Sequence, residues 1–277
     1  MKFKHTLLAV DLSRSSDDLV YCMGDLKKLG IEKVTLITAV SKPYPGGPEK
    51  FDTSTFEDRL ESYVQNLSDQ GFETDWELKV ESNIYAPVII LNAAKELQAD
   101  LLILGHRGQN RVSEFFLGSV ASEIIQRAEM PILLLRISDD PENNEVSICK
   151  NLTREILLPT DFSKNSDKAM EVFENEKMRD SKVTILNVQT TPSPGKKDWL
   201  EERANYLKKI GVKEVSSETK HGNVWVEITE YADKKDMSMI VMGAQGKGFV
   251  ERLFVGSNSM RVARFTSKPL LLIPAER

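Results

Sequence analysis

The chain has 277 residues, of which 40% are apolar and 29% charged, with a net charge of −5. That length holds one large or two ordinary domains, and the mild negative charge exerts no global pull toward nucleic acid or an anionic membrane. Two widely separated cysteines, Cys22 and Cys149, do not make a disulfide framework and are expected as reduced thiols. The apolar stretch before Asp11 is too short for a signal-peptide core, so the expected location is the cytoplasm.

The first predicted element is a buried-type strand, HTLLAV (5–10), which runs into Asp11. Residues 13–30 carry apolar side chains at helical spacing, with Ser15 or Ser16 as the cap and Gly30 as the stop. KVTLITAV (33–40) is a second strand, and the Pro- and Gly-rich 41–53 an exposed loop. A helix is expected over 54–70, a strand over 76–81 and a helix over 86–97, where Pro87 is tolerated in the first turn. ADLLILG then forms a strand that enters a glycine turn, followed by a helix over 120–129 and a strand, PILLLRI (131–137). The polar segment 138–153 lacks periodicity and reads as a linker. The division is one unit at 1–140, a linker at 141–152 and a second unit at 153–277.

The second unit repeats the order. A strand over 154–161 ends in Asp161, a helix covers 165–178, and KVTILNV (182–188) nearly copies the second strand of the first unit. The loop 189–198 is shorter than its counterpart, then come a helix over 198–209 and strand 215–221. The rest is a helix over 224–235, a strand into Gly243, a helix over 257–265 and a last strand over 268–274. Strands that alternate with helices and are continuously apolar belong to parallel sheets covered on both faces. Each half is therefore expected to be an α/β domain with a five-stranded parallel sheet.

One pattern occurs twice. Residues 105–119 read GHRGQNRVSEFFLGS and residues 243–257 read GAQGKGFVERLFVGS, both Gly-x-x-Gly, nine residues, Gly-Ser. A strand, a glycine turn and a helix start bring backbone N–H groups onto an anion, and the repetition at matched positions points to a duplicated phosphate-binding unit. Asp11 and Asp161, Val40 and Val188, and Gly105 and Gly243 all fall at predicted strand carboxyl ends, where open parallel sheets bind ligands. Each aspartate either accepts hydrogen bonds from a ribose hydroxyl or a base amino group, or serves as a turn and cap residue before Ser13 or Ser163; both roles are compatible. The spacing is neither that of a P-loop nor that of the dinucleotide fingerprint. Arg107, Arg111, Lys247 and Arg252 flank the turns as phosphate partners or as solvated cations, with neither role favoured. His5, His106 and His221 lack metal-ligand spacing, and no paired carboxylates or Ser-His-Asp set can be assigned. Trp76, Trp199 and Trp225 read as core or interface packing.

PTDFS (159–163), the strand-ending aspartates and the doubled Gly-x-x-Gly-x9-Gly-Ser resemble the ATP-binding branch of the universal stress protein family in its tandem form. The resemblance covers nearly the whole chain. It implies two flavodoxin-like, adenine nucleotide α hydrolase-like domains. It also implies dimer-like pairing of PILLLRI with KPLLLIP within one chain, with a homodimer of whole chains also open. By position, Pro159, Thr160, Asp161, Val188, Gly222, Met242, Gly243, Gly246, Gly256, Ser257, Asn258 and Ser259 would form the second nucleotide site. Asp161 would meet adenine or ribose, and the glycines and hydroxyls the phosphates. Asp11, Val40, Leu104, Gly105, Gly108, Gly118 and Ser119 are the first-half matches. That half departs at AVD in place of PTD, at Ser82 in place of Gly222 and at Ala121 in place of Ser259, so the second site is favoured.

The expected function is ATP binding, with or without Mg²⁺, in a stress-response or regulatory protein that turns ATP over slowly or not at all. No protein side chains are assigned to a metal, and no nucleic-acid or membrane partner is expected. The alternatives are a slow ATPase or adenylyl-transfer enzyme, and a scaffold for another small ligand. Valine at Gly243 or Gly246 is expected to abolish binding in the second half with the fold intact, and valine at Gly105 or Gly108 to do less.

Overall fold

The computed structural model describes residues 1–41, 51–82, 85–108, 117–138, 151–191, 196–246 and 255–275. The first half contributes strands β1 (His5–Ala9), β2 (Lys33–Ser41), β3 (Glu73–Glu81), β4 (Leu101–Gly108) and β5 (Ile132–Ser138). Its helices are α1 (Arg14–Cys22), α2 (Ser54–Asp69), α3 (Ala86–Glu96) and α4 (Ser119–Arg127). In the second half the strands are β6 (Glu155–Pro159), β7 (Lys182–Gln189), β8 (Glu214–His221), β9 (Met239–Gly243) and β10 (Leu270–Ile273). The helices there are α5 (Lys164–Lys168), α6 (Lys196–Lys209), α7 (Val224–Lys234) and α8 (Ser257–Phe265).

The ten strands of the described residues form one sheet in the order β3-β2-β1-β4-β5-β10-β9-β6-β7-β8. Pairing is parallel within each half, as the continuously apolar strands require. The halves meet through β5 and β10, which pair antiparallel with Leu134 opposite Leu270 and Ile132 opposite Leu272. Leu19, Leu60, Phe173 and Leu207 bury α1, α2, α6 and the turns after α5 on one face of the sheet. Ile90, Ile124, Ile228 and Val262 bury α3, α4, α7 and α8 on the other. These two apolar layers run across both halves and supply the main stabilisation.

The helices after β1 and β6 are shorter than their sequence pattern. α1 tightens into a 3-10 turn over Met23–Leu29, which Gly30 ends at φ 98°. α5 gives way to 3-10 turns over Ala169–Glu174 and Glu176–Met178. The cap of α1 is Ser13; Ser15 and Ser16 lie buried inside its first turn. These tight turns meet at the seam, where Asn175 Nδ2 donates to Lys28 O at 2.9 Å. Also there, Arg136 reaches from β5 to donate to Arg264 O at 2.7 Å, at the end of α8. Arg136 is 8% exposed, and its burial lowers its pKa to about 10 against the opposing influence of Asp233.

The expectation of two reduced thiols fails at Cys22, which is disulfide-bonded; Cys149 lies outside the described residues. Most of the expected linker lies outside them as well, but Leu152 and Thr153 at its end are buried. Among the described residues no helix is long and apolar enough to cross a membrane.

Candidate functional site

Strand order reverses between β1 and β4 and again between β6 and β9. Such reversals open a crevice beyond the carboxyl ends of the strands. In the second half this crevice is a cavity of about 380 Å³. Its wall comes from five directions: Pro159, Thr160 and Asp161 after β6; Ser166 on α5; Leu186 and Val188 on β7; Val224 and Ile228 on α7; and the stretch from β9 to α8. That last stretch contributes Met242, Gly243, Gln245 and Gly246, then Val255, Gly256, Ser257, Asn258 and Ser259.

Local chemistry fixes these pieces. β6 ends at Pro159, after which Thr160 N still donates to Leu186 O at 2.9 Å and Asn187 Nδ2 donates to Thr160 O at 2.8 Å. The chain then turns, with Ser163 N donating to Asp161 Oδ1 at 3.0 Å. Ser163 caps α5 by accepting from Ser166 N at 3.2 Å. On the other wall, Ala244 N donates to Ile273 O (2.8 Å) and Gly256 N to Ala244 O (2.7 Å), which pins the start of α8 beside the end of β9. The first intrahelical bond of α8 runs from Met260 N to Gly256 O. The N–H groups of Ser257, Asn258 and Ser259 thus precede the helical ladder at the positive end of the helix. The lining combines apolar side chains, Leu186, Val188, Val224, Ile228 and Met242, with polar ones, among them Thr160, Asp161, Gln245, Ser257 and Asn258. Asp161 is the charged side chain in the described lining. A ligand with an apolar-faced ring, hydrogen-bond donors and an anionic end matches that combination.

Every residue singled out in the second half lines this cavity except Gly222. Gly222 has φ 150°, and a Cβ on it would strike the Glu227 side chain at 2.6 Å, so the turn into α7 requires it. Ser259 lines the cavity but is 4% exposed, and its hydroxyl donates to Gly243 O at 3.1 Å. A Cβ on Gly243 would meet Asn165 O at 2.5 Å and Asn165 C at 2.8 Å, both backbone atoms of α5. Valine there must displace the first turn of α5, so the expectation of an undisturbed fold is not met. At Gly246 the Cβ would instead meet a side-chain atom, Asp161 Oδ2, at 2.7 Å. Ser166, Leu186, Val224, Ile228, Gln245 and Val255 were missed. Val224 and Ile228 stand one turn apart at the start of α7, and that spacing was the available signal.

The first half departs from its expected geometry. Gly105 and Gly108 do not form a turn: β4 continues through both, with Gly105 opposite Leu135 and Gly108 opposite Ser138. Val40 is not the counterpart of Val188. Ala9 pairs with Ile37 and Pro159 with Leu186, so the register matches Val188 to Ala39 and turns Val40 to the opposite face. Asp11 and Asp161 stand two residues past their strands. Asp11 Oδ1 accepts from Ser13 N at 3.0 Å and Ser16 Oγ at 2.9 Å, the turn role foreseen for it. Leu104 is buried, Gly118 caps α4 and Ser119 opens it on the exposed surface.

Arg107 lies within β4, while Arg111, Lys247 and Arg252 are outside the described residues. His5 Nε2 pairs with Thr35 Oγ1 at 2.9 Å, and His221 is an exposed strand end. Among the described residues no three His, Cys, Asp or Glu side chains are grouped to hold a metal ion. Trp76 packs on the core, Trp225 stacks on Phe265 at 4.6 Å, and Trp199 is 46% exposed.

Comparisons with known proteins identify the fold and the family. A universal stress protein of Mycobacterium tuberculosis is 22% identical over 234 residues, which are 76% of each chain. A putative universal stress protein of Staphylococcus haemolyticus is 26% identical over 149 residues, 52% of this chain and 90% of that one. The crystal structure of a universal stress protein from Archaeoglobus fulgidus has the same fold, with a TM-score of 0.80 at 21% identity over 99% of both chains. The model of the universal stress protein family matches residues 2–136 and again 153–274. With both halves matched, the chain belongs to the universal stress protein family.

Proposed function

We propose that this protein binds ATP in the cavity of its second half and acts as a nucleotide-responsive stress or regulatory protein, not as a fast enzyme. The observation that carries the reading is the cavity itself. It joins apolar side chains and an acceptor carboxylate, Asp161, to the N–H groups at the start of α8, where no side chain caps the helix. Adenine suits the apolar side chains, ribose hydroxyls suit Asp161, and the phosphates suit Gly246, Gly256, Ser257 and Asn258. The described lining holds no histidine and a single carboxylate, a poor set for general acid and base chemistry. The antiparallel β5·β10 seam supports a dimer-like arrangement inside one chain.

The test is calorimetric titration of the whole chain with ATP, AMP and GTP in the presence of Mg²⁺, with release of ADP, AMP and pyrophosphate followed in parallel. Saturable adenine-nucleotide binding with turnover below about one per minute is expected, far beneath the usual enzymatic range. Faster turnover would make the protein an ATPase or an adenylyl-transfer enzyme. An absence of adenine-nucleotide binding would leave it a scaffold for another ligand.

A further inference from the structure

Five non-glycine residues among those described have a positive φ: Leu12 (57°), Gln98 (51°), Asn151 (65°), Phe162 (64°) and Asp236 (46°). Gln98 and Asp236 close helices, where their N–H groups donate to Lys95 O and Asp233 O. Asparagine adopts this conformation readily. Leu12 and Phe162 have neither explanation. Each directly follows one of the two corresponding aspartates, Asp11 and Asp161. A bulky side chain persists in the left-handed region only where its surroundings over-determine it.

Those surroundings are specific in the second half. Phe162 N donates to Thr160 Oγ1 at 3.0 Å. The Phe162 ring meets the Trp199 ring edge-on, with centroids 5.3 Å apart. The guanidinium carbon of Arg203 lies 4.9 Å from the ring centroid. Arg203 is itself fixed by two bonds of 2.6 Å to Asp167, and its side chain is 12% exposed. One aromatic ring is thus held by α6 through Trp199 and Arg203, and Arg203 is anchored in turn to α5. In the first half, Arg59 pairs with Asp17 in the same way, but its guanidinium lies over Tyr63 and Leu12 offers no ring.

We propose that Phe162 is a positioning residue for the nucleotide site: its clamped ring holds the left-handed turn that aims the Asp161 carboxylate across the crevice toward Gly246. The inference rests on the ATP reading of this cavity. It assigns Phe162 an effect that passes through Asp161, and it gives the second site a device that the first lacks.

The experiment is a double-mutant cycle read by calorimetric titration with ATP. Phe162→Ala is expected to weaken binding about tenfold in the parent chain and to have no further effect in an Asp161→Ala background, because coupled residues are non-additive. Phe162→Tyr is expected to restore binding. Arg203→Met, which leaves Phe162 in place, covers the case in which Phe162→Ala fails to fold; it is expected to weaken binding about threefold, again only while Asp161 is present. ATP affinity of folded Phe162→Ala within about twofold of the parent, or losses that multiply in the double variant, would overturn the positioning role while leaving the ATP reading intact. Failure of the parent chain to bind ATP would overturn that reading and this inference together.

Discussion

Gly243 is the residue at which packing and binding can be separated by a single methyl group. It ends β9, and a Cβ there would lie 2.5 Å from Asn165 O, 2.8 Å from Asn165 C and 3.1 Å from Ser166 N. Ordinary contact begins near 3.4 Å, so Gly243→Ala must push the first turn of α5 away by about 0.9 Å. None of these atoms can rotate aside. At Gly105 the nearest atom is Leu19 Cδ1 at 2.6 Å, the tip of a side chain with other rotamers. Both substitutions remove the same unfolded-state freedom, so that contribution cancels between them. Overpacking typically costs 1–3 kcal/mol; we expect about 3 kcal/mol for Gly243→Ala and less than about 1 kcal/mol for Gly105→Ala. With roughly 2–4 °C per kcal/mol, the melting temperature should drop by about 6–12 °C in the first and by less than about 4 °C in the second. Urea unfolding at constant m-value is the confirming measurement. If Gly243→Ala were as stable as Gly105→Ala, the contact argument would be refuted.

Two further expectations concern stability. The hydroxyls of Tyr63 and Tyr231 both have their pKa pushed up from 10.0 to about 12, first by burial and then by bonds to Asp17 and Glu218. A raised pKa means that the folded state keeps its proton longer, so this contribution is complete below pH 10 and is lost as pH climbs toward 12. The melting temperature should fall across that window, and Tyr231→Phe should flatten the fall; an unchanged slope would count against the assignment. Arg136→Ala strips Arg264 O of its buried donor and opens space at the seam, so a loss of about 2 kcal/mol is expected in urea unfolding. Parental stability in that variant would mean that the guanidinium's burial cost cancels its bond.

Local composition carried the fold far, since continuous apolar runs between polar segments marked each strand. What it could not carry was register. The first Gly-x-x-Gly looks like the second, but the partner strand decides its conformation. Arg136 and Pro274 occupy matching places after Leu135 and Ile273. Pro274 has no N–H to continue the ladder, so β10 and β9 stop, whereas β5 continues to Ser138 and carries β4 through Gly108. The Val40 error has the same origin. Aligning Lys33 with Lys182 without a gap places Thr38 on Asn187 and Ala39 on Val188, and the polar pair identifies the inward rows. The cavity residues contributed by α5 and α7 carry no glycine or acid to mark them; the one-turn spacing of Val224 and Ile228 is a sequence signal for α7, whereas only packing reveals Ser166.

The antiparallel seam has a geometric consequence for any ligand. Strands of the two halves run in opposite senses, so the crevice beside β1 and the cavity beside β6 open onto opposite rims of the sheet. With strands about 4.8 Å apart, the four spacings from the β1/β4 gap to the β9/β6 gap put the crevices some 19 Å apart laterally, before the length of the strands is added. No single nucleotide touches both. A partner protein that senses occupancy of the two halves must grip the molecule from two sides, or read one rim alone.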